Sequence, residues 1–337
     1  MGRLGQVLTA LGIALATLAA SVPAARAVDV RLAQEYGLSY LPLTVMRAQN
    51  LLETQGKQRG IAITTHWLRF TGGAAMNEAL ISGNLDFASG GVAPLLVIWA
   101  RTHGNLDVKG ISALNSMPLY LNTIDPNVHT VAEFTDQDRI ALPAARVSIQ
   151  AIILQMAAAK AFGEAGAHKL DKLTVSMSHP DGMAAMLSGT AGITAHFTSP
   201  PYMYEELQHP NVHRVLSSYD VLGGPHTFNC TWATRRFVQK HPKVVAAFMA
   251  SLQQAEAFIR EHPNQAAQIY LKTQEKSALS QAEVVKILKD PENHWTLDPH
   301  KIGVFGAFMA KVGLIPHPPA SWRDVFFRST ASGLKGD

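Results

Sequence analysis

Strand-like and helix-like segments alternate between Ile61 and Ala100, and glycines separate them. Residues 61–70 are rich in β-branched and aromatic side chains and residues 85–88 form a short apolar run, which predicts two strands. One helix is predicted between Gly73 and the stop at Ser82-Gly83, and a second begins near Pro94. Strands joined by short helices pair in parallel with right-handed crossovers. The stretch therefore predicts an α/β fold.

The two glycine turns, residues 71–73 and 90–91, are expected at the carboxyl edge of one sheet. Open α/β sheets bind their ligands at that edge. Each turn precedes a helix whose first N–H groups are unpaired and carry partial positive charge, which suits a small anion. A glycine pair is more often an ordinary turn, so the prediction depends on a second copy.

A second copy is present at a shift of 106 positions, which places Gly83 over Gly189 and Pro94 over Pro200. Residues 78–83 then lie over 184–189, and residues 85–88 lie over 191–194. Repeated supersecondary units predict a repeated architecture. The alternative is a chance similarity between two ordinary αβ units. We expect two lobes, each a mostly parallel sheet flanked by helices, with a cleft between them.

The predicted lobes divide the chain at two crossings. Lobe one comprises residues 28–121 and 223–337, and lobe two comprises residues 122–222. A hinge is expected near Leu121 and Leu222, where the chain passes between lobes. The length of 337 residues is sufficient for two domains of ordinary size.

The first 27 residues have the features of an export signal. Arg3 precedes the apolar run 7–22, and Ala25-Arg26-Ala27 fits a small-x-small cleavage site before Val28. The alternative is an uncleaved membrane anchor, but the apolar run is short for a spanning helix. We therefore expect a periplasmic protein. Cys230 is the single cysteine, so no internal disulfide is expected, and it is interpreted as a buried small hydrophobe.

Several classes of function are disfavoured by composition and motifs. The net charge is +4 without a dense Lys/Arg cluster, which argues against nucleic-acid binding. Nucleophile-elbow, phosphate-loop and His-Glu-x-x-His motifs are missing, and nothing in the sequence brings Ser148, Asp181 and His196 together as a triad. The 14 histidines are scattered, so metal binding is a minor hypothesis. We predict no enzyme activity, no cofactor and no metal.

Individual side chains near the predicted strand ends are candidates for ligand contact. Tyr36 and Tyr40 follow the first strand and offer aromatic faces and hydroxyls, although half-buried surface tyrosines are the alternative. Ser148 is a natural N-cap for the predicted helix 149–162. Arg146 precedes that helix and is positioned to clamp a carboxylate or sulfonate, and the alternative is a solvated loop arginine.

Four segments resemble the solute-binding proteins of nitrate/sulfonate/taurine ABC importers. They are Tyr36-Gly37 through Tyr40-Leu41-Pro42-Leu43, residues 70–80 (FTGGAAMNEAL), residues 82–87 (SGNLDF) and residues 235–242 from Arg235-Arg236-Phe237 to Pro242. The resemblance covers essentially the whole mature chain and is more specific in lobe one. It implies a type II periplasmic binding protein that closes on a small organic anion, such as a sulfonate or carboxylate, and delivers it to an inner-membrane permease.

The resemblance, together with the candidates above, gives a set of expected ligand-binding residues: Tyr36, Tyr40, Thr71, Gly72, Gly73, Gly90, Gly91, Val92, Ser116, Arg146, Ser148, His196 and Phe197. The protein is expected to be a monomer. Many relatives carry Gly-x-Asp-Ala where this chain has residues 191–194 (AGIT), and His196-Phe197 is bulkier than the lobe-one glycines. These departures favour a larger or aromatic acid over nitrate. The alternatives are an enzyme of the same fold acting on a pyrimidine or ester, and a ligand-loaded sensor.

Overall fold

The structure is a computed structural model that describes residues 27–273 and 278–337. The predicted export signal lies outside the described residues, apart from Ala27. The strands are β1 (Val28–Gln34), β2 (Ile63–Arg69), β3 (Ala88–Gly91), β4 (Lys109–Ala113), β5 (Tyr120–Thr123), β6 (Ile140–Leu142), β7 (Thr174–Ser176), β8 (Ala195–Thr198), β9 (His213–Ser217) and β10 (Asn229–Ala233).

Helices cover most of the remaining chain. The α-helices are α1 (Leu41–Ala48), α2 (Leu51–Gln58), α3 (Gly73–Ile81), α4 (Val92–Arg101), α5 (Ile149–Phe162), α6 (His179–Ser188), α7 (Tyr202–Glu206), α8 (Ser218–Leu222), α9 (Arg235–Lys240), α10 (Pro242–Glu261), α11 (Pro263–Thr273), α12 (Gln281–Leu288), α13 (Ile302–Lys311), α14 (Trp322–Val325) and α15 (Arg328–Ala331). A short 3-10 turn, Leu38–Tyr40, leads into α1.

The strands form three sheets. One sheet is β1-β2, the second is β3-β10-β4 and the third is β7-β6-β8-β5-β9. β1 pairs with β2 in parallel, and β6 pairs in parallel with β7 and β8. β10 and β5 run antiparallel to both of their neighbours. The predicted α/β class is confirmed, but the sheets are mixed rather than mostly parallel, because β5 and β10 enter their sheets after the chain has crossed between halves.

The strands separate into two sets along the chain. Residues 120–217 contain every strand of the five-stranded sheet, and β1–β4 with β10 form the other two sheets. We call these the five-stranded half and the two-sheet half. The chain crosses between them at residues 114–119 and 218–228, where the Leu119 amide donates to Ser218 Oγ (2.9 Å). The predicted lobe and hinge positions stay predictions.

Both copies of the repeated unit have their strand later than the sequence predicts. The predicted strands at 85–88 and 191–194 become β3 from Ala88 and β8 from Ala195. Residues Asp86 and Phe87 already donate their amides to Arg31 O (3.0 Å each), yet the continuous ladder with β10 begins at Ala88. Gly90 and Gly91 therefore lie inside a strand, although the sequence predicted a turn there.

One prediction concerns His226, which is fully buried at the second crossing. Its Nδ1 lies 2.9 Å from Thr227 O and its Nε2 lies 2.8 Å from Ser218 Oγ. Burial is the main cause that lowers the pKa of His226 to about 4, and the nearby Lys301 acts in the same direction. Since the unfolded chain takes up this proton near pH 6.5 and the folded protein does not until about 4, stability falls as the pH drops between these values.

The expected loss from this group is about 2 kcal/mol between pH 7 and pH 5. Urea unfolding of the wild type and of His226→Gln at both pH values measures it. His179 also has a pKa lowered by burial, so the variant retains part of the pH dependence. Equal losses in the two proteins would show that His226 does not contribute.

Candidate functional site

The two glycine turns of the two-sheet half lie side by side. A Cβ atom placed on Gly90 would be 3.5 Å from the Cα of Gly73. The end of β3 is therefore in contact with the start of α3. Under them, Trp232 is fully buried and donates from Nε1 to Asn77 Oδ1 (3.0 Å). The two glycine segments lie together, but not at the edge of one sheet as predicted, because Gly72 and Gly73 follow β2 whereas Gly90 and Gly91 lie within β3 of a second sheet. We call Gly72, Gly73, Gly90 and Gly91 the glycine corner.

The glycine corner faces the five-stranded half at very short range. A Cβ on Gly72 would lie 3.3 Å from Pro143 O, and one on Gly91 would lie 2.8 Å from Ile149 Cγ2. Pro143 and Ile149 flank the loop between β6 and α5, so the start of α5 meets the corner. The absence of side chains on these glycines is what allows the two halves to approach.

A third contact joins the halves through backbone alone. The Leu38 amide donates to Pro200 O (3.0 Å), just beyond the end of β8. Gly37 has φ +116°, and a Cβ on it would lie 3.0 Å from Pro200 O, so glycine is required by both conformation and space. We call the contacts of Gly37, Gly72 and Gly91 with Pro200, Pro143 and Ile149 the seam. Across the seam the structure is closed.

Glu35 lies beneath the glycine corner, directly after β1, and is only 8% exposed. Its Oε1 lies 3.0 Å from the Cβ position of Gly90 and 3.7 Å from that of Gly73. Burial raises the pKa of Glu35 to about 8, and hydrogen bonds from the Tyr40 hydroxyl and the Gly73 backbone N–H partly oppose this effect. Within residues 27–273 and 278–337, no cationic side chain lies within ion-pair distance of this carboxyl. The chain's own carboxylate therefore occupies the start of α3.

Buried polar side chains continue from Glu35 across the site. The Tyr40 hydroxyl, which contacts Glu35, also lies 3.4 Å from Asn229 Oδ1, and the backbone N–H of Asn229 donates to Asn115 Oδ1 (3.3 Å). Asn229 Nδ2 and Ser199 Oγ are buried and have no hydrogen-bond partner among the described residues. Ser199 Oγ lies 3.7 Å from the Cβ position of Gly37, so unpartnered polar atoms are present on both sides of the seam.

Other predicted ligand residues lie at or near this site with partners of their own. Tyr36 is half-buried, and the Arg69 guanidinium lies 4.9 Å from its ring centroid. Val92 is buried and donates its amide to Phe228 O (3.0 Å), whereas Thr71 is exposed. Ser148 is a buried N-cap that accepts from the Ala151 amide (3.2 Å). Their roles in solute binding stay predictions.

Ser116 lies at the first crossing. It is buried, and its Oγ is 3.1 Å from the Tyr219 hydroxyl. This contact ties the first crossing to the second.

Arg146 lies away from the glycine corner, contrary to the prediction that it clamps the ligand. It is exposed, has φ +68°, and lines a pocket of about 390 Å³ on the outer flank of α5. Gln155, Asp171 and Leu314 line the same pocket. Because α5 begins at Ile149, Arg146 is in the loop before the helix, where a left-handed residue turns its side chain away from the seam.

His196 and Phe197 are both fully buried in β8, which differs from the prediction that they line a cleft. His196 Nδ1 lies 2.5 Å from Glu206 Oε1, and its Nε2 lies 3.1 Å from His179 Nδ1. Asn122 Nδ2 donates to the other oxygen of Glu206 (2.8 Å). Strand alternation places His196 against α6 and α7 within the five-stranded half.

The candidate triad is not assembled. Ser148 caps α5, Ser178 Oγ donates to Asp181 Oδ2 (2.5 Å), and His196 is engaged by Glu206 and His179. Among the described residues no cluster of three or more metal-ligating side chains is arranged to hold an ion. In the same part of the chain, every helix is too short or too polar to cross a bilayer.

Sequence reasoning missed Glu35, Asn229 and Ser199. Glu35 immediately follows a predicted strand and begins the loop that was expected to rim the cleft, which is a signal that was available. Asn229 begins β10, and Ser199 directly follows the end of β8. Polar residues are common at both kinds of position, so only the tertiary contacts distinguish these two.

Comparison with known proteins gives structural matches only. No family model and no curated protein matches the chain. The alkanesulfonate-binding protein SsuA from Xanthomonas axonopodis, solved bound to MOPS, is similar with a TM-score of 0.67 and 18% identity, over 93% of this chain and 100% of that one. The nitrate-binding protein NrtA from Synechocystis has a TM-score of 0.69 and 15% identity, over 92% and 90%.

The aliphatic sulphonate-binding protein SsuA from Escherichia coli is also similar, with a TM-score of 0.63 and 18% identity over 89% of this chain and 92% of that one. At these identities the likeness establishes the fold. The chain therefore has the fold of periplasmic binding proteins, in agreement with the fold that the resemblance implied.

Proposed function

We propose that this chain, which has the periplasmic binding-protein fold, is the solute-binding component of an ABC importer. It is exported to the periplasm, captures one small organic molecule between its halves and delivers it to an inner-membrane permease. It acts as a monomer without a cofactor and performs no chemistry on the molecule. The described similar structures are transport binding proteins rather than enzymes, which supports this choice.

The seam is the observation that carries the proposal. Helix starts and strand ends of two separate sheets meet there through glycines, and buried polar atoms remain unpartnered on both sides. Native proteins rarely leave buried polar atoms unpaired, because each one costs free energy. A solute that bonds to atoms of both halves binds the closed form better than the open form and so favours closure.

The predicted division at residues 121 and 222 gives this closure a hinge. The two crossings are the connections between the sheets that carry the seam, and Ser116 and Tyr219 join them. Rotation at these crossings separates Gly37, Gly72 and Gly91 from their partners and also opens the apolar contact of α5 with α4 and α13. We infer that the open form exposes the glycine corner to solvent.

Capture of a solute is tested by equilibrium dialysis of the protein against a polar metabolite extract, followed by mass spectrometry of the retained molecules. We expect one compound retained at about one molecule per chain. Deletion of the gene is then expected to reduce cellular uptake of that compound at least tenfold. If the protein retains no compound, the binding role is wrong. If it retains one whose uptake does not change, delivery to a permease is wrong.

A further inference from the structure

We propose that the captured solute presents a positively charged nitrogen, as in an amine, amidine or guanidine, to the carboxylate of Glu35. The inference rests on the proposed solute-binding function and names the class of solute. It replaces the small anion that the sequence predicts.

The first reason is that a carboxyl already occupies the anion position. The start of α3 offers the Gly73 N–H and the positive end of the helix dipole, but Glu35 accepts that N–H. Its Oε1 lies against both Gly73 and Gly90, the two glycines over which a solute would lie. An anionic head group placed there would have to displace the Glu35 carboxyl from the Gly73 N–H.

The second reason is that Glu35 is buried without a counter-charge. Buried carboxylates are ordinarily paired with a cation, since an isolated charge is costly to remove from water. Of the arginines near the site, Arg69 is exposed and lies over Tyr36, and Arg146 lies on the outer flank of α5. Within the described chain the Tyr40 hydroxyl and the Gly73 amide are its partners, and both are neutral. Because its pKa is about 8, Glu35 is mostly protonated at pH 7 in the unliganded protein, and a cationic solute would displace that proton and form the ion pair that the described chain does not supply.

The third reason is the pair of unpartnered atoms beside Glu35. Asn229 Oδ1 lies 3.4 Å from the Tyr40 hydroxyl, which contacts Glu35, and Nδ2 of the same side-chain amide is buried without a hydrogen-bond partner among the described residues. Ser199 Oγ approaches from the five-stranded half, beside Gly37. A solute with one cationic nitrogen and one neutral acceptor satisfies Glu35 and Asn229 together, and Ser199 adds a contact available only on closure.

Probes that share a shape and differ in charge test the inference directly. Guanidinium, urea and nitrate are planar and similar in size, and benzamidinium, benzamide and benzoate form a larger set. Binding of all six to the wild type, to Glu35→Gln and to Glu256→Gln is measured by calorimetry and thermal shift. Glu256 is the matched control, because it is a buried glutamate in α10 whose pKa burial also raises to about 8.

The expected result is that the cation of each set binds the wild type at least about tenfold more tightly than its neutral and anionic counterparts. Glu35→Gln is expected to remove that preference and Glu256→Gln to preserve it. Tighter binding of nitrate or benzoate by the wild type overturns the inference, and so does an unchanged cation preference in Glu35→Gln. Neither of these results affects the proposed solute-binding function.

If none of the six probes binds, the charge of the compound retained from the metabolite extract tests the inference. Its retention by a cation-exchange resin at pH 7 supports the inference, and its appearance in the flow-through or on an anion exchanger overturns it. If the extract yields no retained compound either, the solute-binding function itself fails and the inference fails with it.

Discussion

Replacing Gly91 by alanine is expected to weaken solute binding by roughly 5- to 150-fold, although the substitution adds one methyl group. The new Cβ would lie 2.8 Å from Ile149 Cγ2 and 3.0 Å from Ile149 Cβ, which is too close for either atom to accommodate without movement. Overpacking of this kind costs about 1–3 kcal/mol. Because the clash exists only where the halves meet, the whole cost falls on the closed form.

The backbone at Gly91 makes this prediction specific to the seam. Its φ of −62° and ψ of 159° are ordinary extended values that any residue adopts, so alanine introduces no backbone strain. The isolated two-sheet half is therefore expected to be unaffected, and thermal unfolding without solute should change little. Calorimetric titration with the compound retained from the extract measures the loss of affinity.

Two further variants control for this prediction. Ile149→Ala removes the Cγ2 atom that the new methyl group meets at 2.8 Å but keeps the Cβ atom at 3.0 Å, so the double variant is expected to regain part of the lost affinity. Gly303→Ala adds a methyl where nothing lies within 4 Å, and it should bind like the wild type. Wild-type affinity in Gly91→Ala would mean that the halves do not meet in the bound form as they do here.

Replacing Glu206 by alanine is expected to lower the free energy of unfolding by about 2–4 kcal/mol, because it leaves buried polar groups without the partner they contact. Glu206 is fully buried, accepts from Asn122 and lies 2.5 Å from His196. Its loss leaves His196 and Asn122 without their buried partner, since His179 contacts only the far side of the His196 ring. Urea unfolding at pH 7 measures the change.

The double variant Glu206→Ala with His196→Ala separates the interaction energy between the two side chains from the packing contribution of each one. If the two groups stabilise the five-stranded half as a unit, the combined loss is smaller than the sum of the single losses. Strict additivity, or a loss below about 1 kcal/mol for Glu206→Ala, would contradict the assigned role.

Local signals predicted the elements that build the site. The helix from Ile149 to Phe162 with its Ser148 cap is found as predicted. These features depend on neighbours in sequence, such as a capping side chain or a glycine stop. The sequence predicted the glycine segments at the edge of one parallel sheet, whereas the structure brings Gly73 and Gly90 together from two separate sheets.

The chemistry of the site depended on contacts between distant residues and was not predictable in the same way. Glu35 reads as a loop residue in the sequence and becomes a buried carboxyl only because Gly73 and Gly90 close over it. Arg146 reads as a helix-start cation, but its positive φ turns it toward Leu314. His196 occupies the repeat position of a lobe-one glycine, yet strand alternation directs it into the core.

Closure of the two halves on a solute is measured most directly as a distance between them. Spin labels at Ala75→Cys in α3 and Ala184→Cys in α6 use exposed positions of the two halves, and the native Cys230 is buried, which raises the pKa of its thiol and protects it from labelling. We predict that the compound retained from the extract shortens the mean label separation by more than about 2 Å and narrows its distribution. A distribution that is identical with and without a bound compound would contradict the account.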